Sequence, residues 1–461
     1  MEGAYYFGEY LRWNLGFSNP NVGGAFAAML IAFLLPLTTA GRRGGAFRPA
    51  FVLAFVLAFV SELILWFLLV KTYSRGAFIS AGICLLFCNA AFLFRGFPKR
   101  EIFSILSVKI FAIAAMVLLS GFFARVSPGY LRGDGSAGAR ATLWSGGLAM
   151  LAQAPMEGWG KGKSGKEYIN WYQDLDDNRE YAGMVNGYLL MAVERGLPAL
   201  FAALFPFAFL IIAGMLSPIG KFPLPLCGAF GLLSYLISNF FSSLWVFGAL
   251  WRIVIPLALS AASFLLCAKA ARIASKSAVW GAITCLAFCV LLFGAGLPFD
   301  GGGIRKLDGG VRLGSENSDK ARKIAIFPDE ATLGKYFGKT IRRAIASLES
   351  GICIDVFADE SNAEFSVKEG KCDVAILCGT RALLLNSAGL RDAKIILINP
   401  VGIPNELVNK PARTYLPSLD YFNQNKVWLR RLEEHGLSYS LMEYSSQQIS
   451  AEELSKIIEA N

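Results

Sequence analysis

The chain has 461 residues, of which 55% are hydrophobic and only 17% charged, too apolar for one soluble globule and too long for a single hydrophobic core. Its net charge of +10 does not point to nucleic acid, because no basic run has the density a phosphate backbone needs and most Lys and Arg flank apolar stretches. The expectation is a membrane protein with an attached polar domain, whose partners are the lipid bilayer and anionic lipid or phosphate groups.

Residues 1–20 lack the basic start, short apolar core and small-residue cleavage site of a secretory signal, so insertion rests on internal segments. Apolar windows at 22–40, 49–70, 77–94, 102–123, 197–216, 223–244, 248–267 and 279–298 predict about eight transmembrane helices. Pro206, Pro225 and Pro256 are expected to kink or shorten the helices that hold them. Basic residues in short connections set the orientation. Arg42, Arg43 and Arg48 share one, Arg95, Lys99 and Arg100 another, and Lys269, Arg272 and Lys276 a third, and all three are expected to be cytoplasmic. Counting helices between them puts the Lys71–Gly76 turn, the interval 125–196 and everything after 299 on the outer face. ATP and nucleotide-sugars are absent there, so a reaction on that face needs a donor activated beforehand, such as a lipid diphosphate.

The interval 125–196 is the long polar stretch between apolar segments, crowded with Arg, Lys, Trp, Tyr and Gly. Two or three convergent guanidiniums hold a diphosphate bidentately and stabilise the charge that develops as it leaves. Arg75, at the outer end of one helix, and Arg140 are the first candidates, with Trp144 one helical turn after Arg140 as an interfacial ring. Gly158-Trp-Gly-Lys-Gly-Lys-Ser-Gly165 departs from the spacing of a phosphate-cradling loop and has no strand before it; a loop lidding a groove is the better account. The nine cysteines divide six to three between membrane helices and the C-terminal domain. The i, i+4 pairs Cys84/Cys88 and Cys285/Cys289 read as small packing residues. No metal and no cofactor are expected, since no carboxylate or His cluster has ligand spacing.

After a linker at 299–322, residues 323–461 change to the pattern of a soluble doubly wound α/β domain. Ile324–Phe327, Cys353–Phe357, Val374–Leu377 and Ile395–Ile398 read as buried parallel strands, with helical patterns such as Thr332 to Leu348 between them. Ile376-Leu-Cys-Gly-Thr-Arg-Ala382 is similar to the nucleophile elbow of α/β-hydrolase folds, with Thr380 at the nucleophile position. No acid or His follows at a matching place, so a binding domain without a triad is expected.

Taken in order, Phe17-Ser-Asn-Pro-Asn21, Thr72-Tyr-Ser-Arg-Gly-Ala77, Arg140 to Trp144, Pro155 to Gly160, Asn186-Gly-Tyr-Leu189 and Glu194-Arg-Gly-Leu197 resemble the O-antigen ligase and polymerase membrane family over about residues 14–215. The resemblance implies a multi-pass protein of the bacterial inner membrane, with residues 1–298 as the membrane domain. Its implied activity is transfer of a glycan from an undecaprenyl-diphosphate carrier to a lipid or protein acceptor on the outer face. Family ligases use outer-face arginines for the diphosphate and a His as base or orienting group. Arg75 and Arg140 match the arginine positions, and Asn186 and Tyr188 would line the acceptor side. Where the family commonly shows His-Asn, this chain has Val185-Asn186, and its only histidine is His435. Valine accepts no proton, so that task falls to Glu180, Asp177, Tyr181 or Glu194, or to water and the leaving diphosphate. Glu180 is favoured because it is expected near the outer end of the helix carrying Asn186, whereas Glu194 lies about two helical turns farther along. The alternative is a non-catalytic scaffold or export component of a surface-polysaccharide system.

Overall fold

The computed structural model describes residues 5–7, 10–40, 49–127, 135–217, 223–245, 251–265, 304–307, 310–313, 322–328, 333–346, 348, 352–357, 373–378, 394–398, 412–416, 439–441 and 449–460. The chain divides into two compact units. Residues 1–147, 155–162 and 183–297 form the first, and residues 148–154, 163–182 and 298–461 the second.

In the first unit a hairpin of β1 (Tyr5–Phe7) and β2 (Tyr10–Arg12) precedes α1 (Pro20–Ala40). The Ser-Asn-Pro-Asn motif is a helix start. The Asn19 side chain accepts from the N–H groups of Asn21 at 2.9 Å and Val22 at 3.1 Å, and Pro20 takes the first helical position, where no N–H is needed. Then come α2 (Pro49–Lys71), α3 (Arg75–Phe94), α4 (Lys99–Leu119) and the short α5 (Phe122–Val126). The window expected to run through residue 123 is broken at Gly121, whose φ of 75° interrupts the helix. After α6 (Gly135–Gln153) and α7 (Ser164–Trp171), the chain continues as α8 (Gly187–Leu216), α9 (Leu224–Phe241) and α10 (Trp251–Leu265). α8 is broken at Gly196, so the window expected from residue 197 begins where the helix resumes after that break, and a further helical stretch from Gly187 precedes it.

Among the described residues six helices, α1, α2 from Val52, α3, α4, α8 and α9, are long and apolar enough to cross a bilayer, and the chain is a polytopic helical membrane protein. The expected window 248–267 is α10, of 15 residues; the window 279–298 lies outside the described residues. α1 packs against α2, α3 and α9, and small residues allow the approach. A Cβ on Gly24 would lie 2.9 Å from both Thr72 Oγ1 and Ser74 Cβ. Between α3 and α9 the Ser80 hydroxyl donates to the Ser234 carbonyl at 2.6 Å. Phe26, Phe207, Tyr235 and Trp245 form a buried aromatic cluster. Leu53, Leu57, Ile64, Phe111 and Leu119 of α2 and α4 are exposed, as lipid-facing side chains must be.

An ion pair lies inside this bundle. Lys109 Nζ of α4 is 2.9 Å from Glu62 Oε2 of α2, each side chain 1% exposed. Thr38 of α1 donates to Glu62 at 2.6 Å and accepts from Lys109 at 2.7 Å. Three helices are thus tied by charges that would be costly in lipid if separated.

The second unit holds an eight-stranded sheet built from β3 (Ile304–Leu307), β4 (Gly310–Leu313), β5 (Arg322–Phe327), β6 (Ile352–Phe357), β7 (Val374–Cys378), β8 (Lys394–Ile398), β9 (Ala412–Leu416) and β10 (Tyr439–Leu441). The order is β10-β9-β8-β7-β5-β6-β4-β3; pairs from β10 through β6 are parallel, and β4 joins β6 and β3 antiparallel. Ile324, Ile326, Val356, Ala375, Ile376, Ile396 and Ile398 are buried, which is why these strands read as continuous apolar runs. Arg312 bridges bidentately to Asp355 on the neighbouring strand, at 2.6 and 2.9 Å. α11 (Phe337–Ala346) packs against α12 (Ala451–Glu459) and against α7. Cys353 and Cys378 are buried, on strands that do not pair with each other. Thr380 and His435 lie outside the described residues.

Candidate functional site

The predicted site residues of the first unit gather around one element end, the last turn of α9. A helix leaves its final carbonyls without intrahelical donors, and the Phe241 carbonyl is one of these. Arg140, on α6, donates to it from Nη1 at 3.3 Å, a cation at the negative end of a helix. Arg75 begins α3, and Gly76 directly after it packs on the same residue: a Cβ there would stand 2.4 Å from Phe241 Cβ. Arg140 and Gly76, the residue next to Arg75, thus both meet Phe241. Trp144, one turn after Arg140, packs edge-on against Phe240 with centroids 5.3 Å apart, and its indole N–H donates to the Met184 carbonyl at 2.9 Å.

The start of α8 docks on the same turn. Asn186 caps it, accepting from the N–H groups of Tyr188 at 3.0 Å and Leu189 at 3.1 Å. Gly187 is required by close approach, since a Cβ would fall 1.9 Å from Asn239 Oδ1. That same amide oxygen accepts from the Leu244 N–H at 3.1 Å. The Tyr188 hydroxyl donates to the Leu236 carbonyl at 2.6 Å, and its ring stands edge-on to Trp245. Asn186 and Tyr188 are therefore buried or half-buried structural donors and acceptors that set where α8 begins. Val185, just before the cap, has φ 51°, a left-handed conformation that a β-branched residue adopts only under constraint and that Asn, Asp and His tolerate better.

Two further motifs meet at a break in α8. Gly196 has φ 81°, and Pro198 has no N–H to offer Glu194. The freed carbonyls find donors in the glycine loop: Trp159 N–H reaches the Val193 carbonyl at 2.7 Å and Gly160 N–H the Glu194 carbonyl at 3.1 Å. In return the Leu197 N–H donates to Pro155 O at 2.7 Å. A Cβ on Gly196 would lie 2.0 Å from Met156 O, and one on Gly158 2.6 Å from the Arg195 nitrogen. The stretch read as a loop lidding a groove is a clamp on this broken turn.

Three other sequence candidates, Asp177, Glu180 and Tyr181, belong to the second unit. The Glu180 carboxylate is 70% exposed and lies 3.8 Å from Lys335 Nζ. Asp177 accepts from Arg179 Nε at 2.8 Å and Nη2 at 3.0 Å, and this guanidinium holds its carboxyl well below the usual carboxylate range, so it is a weak proton acceptor. Burial raises the Tyr181 hydroxyl. Glu194, in the first unit, is buried at the helix break. Sequence reasoning missed Asn239, Phe240 and Phe241 because they end an apolar window; the signal was the polar pair Ser238-Asn239 inside it. Residues 60–204 match a family model described as O-antigen ligase. A search of curated proteins finds no match.

Proposed function

With residues 60–204 placed in the O-antigen ligase family, a family of membrane glycan transfer, we propose that this chain moves a glycan from an undecaprenyl-diphosphate carrier to a lipid or protein acceptor on the outer face of the bacterial inner membrane. The reading rests on one observation above the rest: Arg140 and Gly76, the residue next to Arg75, both meet the Phe241 end of α9. A fork of two guanidiniums suits a diphosphate and the charge it gains on departure. In the reaction the acceptor oxygen bonds the anomeric carbon while the bond from that carbon to the phosphate oxygen breaks. The electron pair leaves with the lipid diphosphate, and the acceptor hydroxyl loses its proton. Glu180 is the proposed acceptor of that proton, and Trp144 a ring bordering the sugar. Asn186 and Tyr188 act by fixing the start of α8.

The test is glycan transfer in membranes carrying the lipid-linked donor. Arg75→Lys and Arg140→Lys each keep the charge and lose the fork, and each is expected to lower transfer at least tenfold; full activity in both would sink the shared diphosphate site. Glu180→Gln is expected to lower transfer in the same way, and Val185→His to restore part of it. Val185, where the family commonly has His, favours a second reading, a non-catalytic scaffold of a surface-polysaccharide system. A well-folded wild-type chain without any transfer would select that reading.

A further inference from the structure

Within the second unit, segment 170–177 runs from the end of α7 into non-helical chain, where its carbonyls need other donors. α7 ends at Trp171, so the Asn170 carbonyl is among those without an intrahelical donor, and the residues beyond have no ladder to join. α11 supplies the donors. Lys339, Arg342 and Arg343 stand at i, i+3 and i+4, on one face of this helix, while Phe337, Ile341 and Ala344 are buried. Arg342 Nη1 donates to the Gln173 carbonyl at 2.8 Å and to that of Asn170 at 3.4 Å. Lys339 donates to the Asp177 carbonyl and Arg343 to that of Leu175. Around these bonds Trp171 packs edge-on to Phe337, and a Cβ on Gly338 would lie 2.7 Å from Asn170 Cβ.

We propose that the C-terminal part of the chain is a holder for this segment: the basic face of α11 fixes residues 170–177, and Lys339, Arg342 and Arg343 are positioning residues. The holding itself does not depend on the function proposed above. Its value for catalysis rests on that reading, in which the segment leads within nine residues to Asn186 and carries Glu180 on the way. One polypeptide segment thereby depends on a domain more than 150 residues downstream, which assigns the C-terminal part a role other than separate catalysis.

The experiment uses the full chain in native membranes. Arg342→Met removes both carbonyl bonds, and trypsin cleavage after Arg179 and Lys166 is expected to quicken at least tenfold, with Arg342→Lys intermediate because one donor remains. A second arm guards against misfolding of that variant: Arg343→Met, at an exposed side chain, removes only the bond to the Leu175 carbonyl and is expected to quicken the same cleavage by less. Unchanged cleavage in both variants overturns the holder. If cleavage quickens in both while the wild-type chain transfers no glycan, the holder stands and the transferase reading falls. If transfer is present, the Arg342→Met loss is expected as a fall in kcat with KM for the lipid-linked donor unchanged.

Discussion

Val185 concentrates the residue-scale argument. A valine at φ 51° carries strain of about 1–3 kcal/mol, and the turn it makes is what delivers Asn186 as the cap of α8. Val185→Gly relieves the strain and is expected to raise the thermal midpoint in detergent, whereas Val185→Ile is expected to leave it no higher; a lower midpoint for the glycine variant would contradict the strained turn. Asn186→Ala is expected to cost about 1 kcal/mol through the lost cap, with Asn186→Asp restoring it. If the aspartate variant folds normally yet loses transfer, Asn186 has a chemical role beyond capping. Gly196→Ala meets both a left-handed φ and the Met156 carbonyl, so it should destabilise the chain far more than alanine at Gly82, which has open space around it.

At the scale of elements, two devices hold helices that composition alone would leave interchangeable. The first is the Glu62–Lys109–Thr38 clasp. Removing one charge strands the other in an apolar bundle, so Lys109→Met alone is expected to cost about 3–5 kcal/mol. Adding Glu62→Met should recover most of the loss, and a double variant as unstable as the sum of the singles would show that the pair is not coupled. The second device is the loop between α7 and α8. Asp177 is held ionised by Arg179, so its contribution is present above about pH 4 and is lost as the pH falls below that. Glu167 runs the other way: burial raises its carboxyl although the Trp171 N–H bonds it, so its contribution is lost as the pH rises through the ordinary carboxylate range. Amide exchange over residues 168–182, corrected for intrinsic rate, is expected to accelerate between pH 5 and pH 3 in the native chain. In Asp177→Asn that acceleration should be absent.

For the whole molecule the question is sidedness. α11 bonds directly to residues 170–177, and no such bond forms across a bilayer, so both are expected on one face of the membrane. The basic connections at 41–48, 95–101 and 269–278 are the sequence basis for expecting that shared side to be the outer one. Reporter fusions at residue 176 and after residue 313 are expected to report the same face, extracytoplasmic in both. Opposite faces would refute the contact, and cytoplasmic activity in both would remove the argument for a lipid-linked donor.

What the sequence determined by itself is whatever depends on local pattern: the apolar runs that cross the membrane, the Asn-Pro helix start at Asn19 and Pro20, the buried strand segments, and the residues worth asking about, Arg75, Arg140, Trp144, Asn186 and Tyr188. Their types and spacing carry those signals because hydropathy, capping and basic flanks act over a few turns. Tertiary structure alone decided which of them meet. Phe241, Asn239 and Leu236 draw Arg140, Gly76, Gly187 and Tyr188 together through backbone carbonyls and close approach. A carbonyl has no side-chain identity for a sequence to display. The same reason hid the glycine clamp on the break at Gly196 and the grip of α11 on its loop, in both of which the acceptors are main-chain oxygens freed where a helix ends.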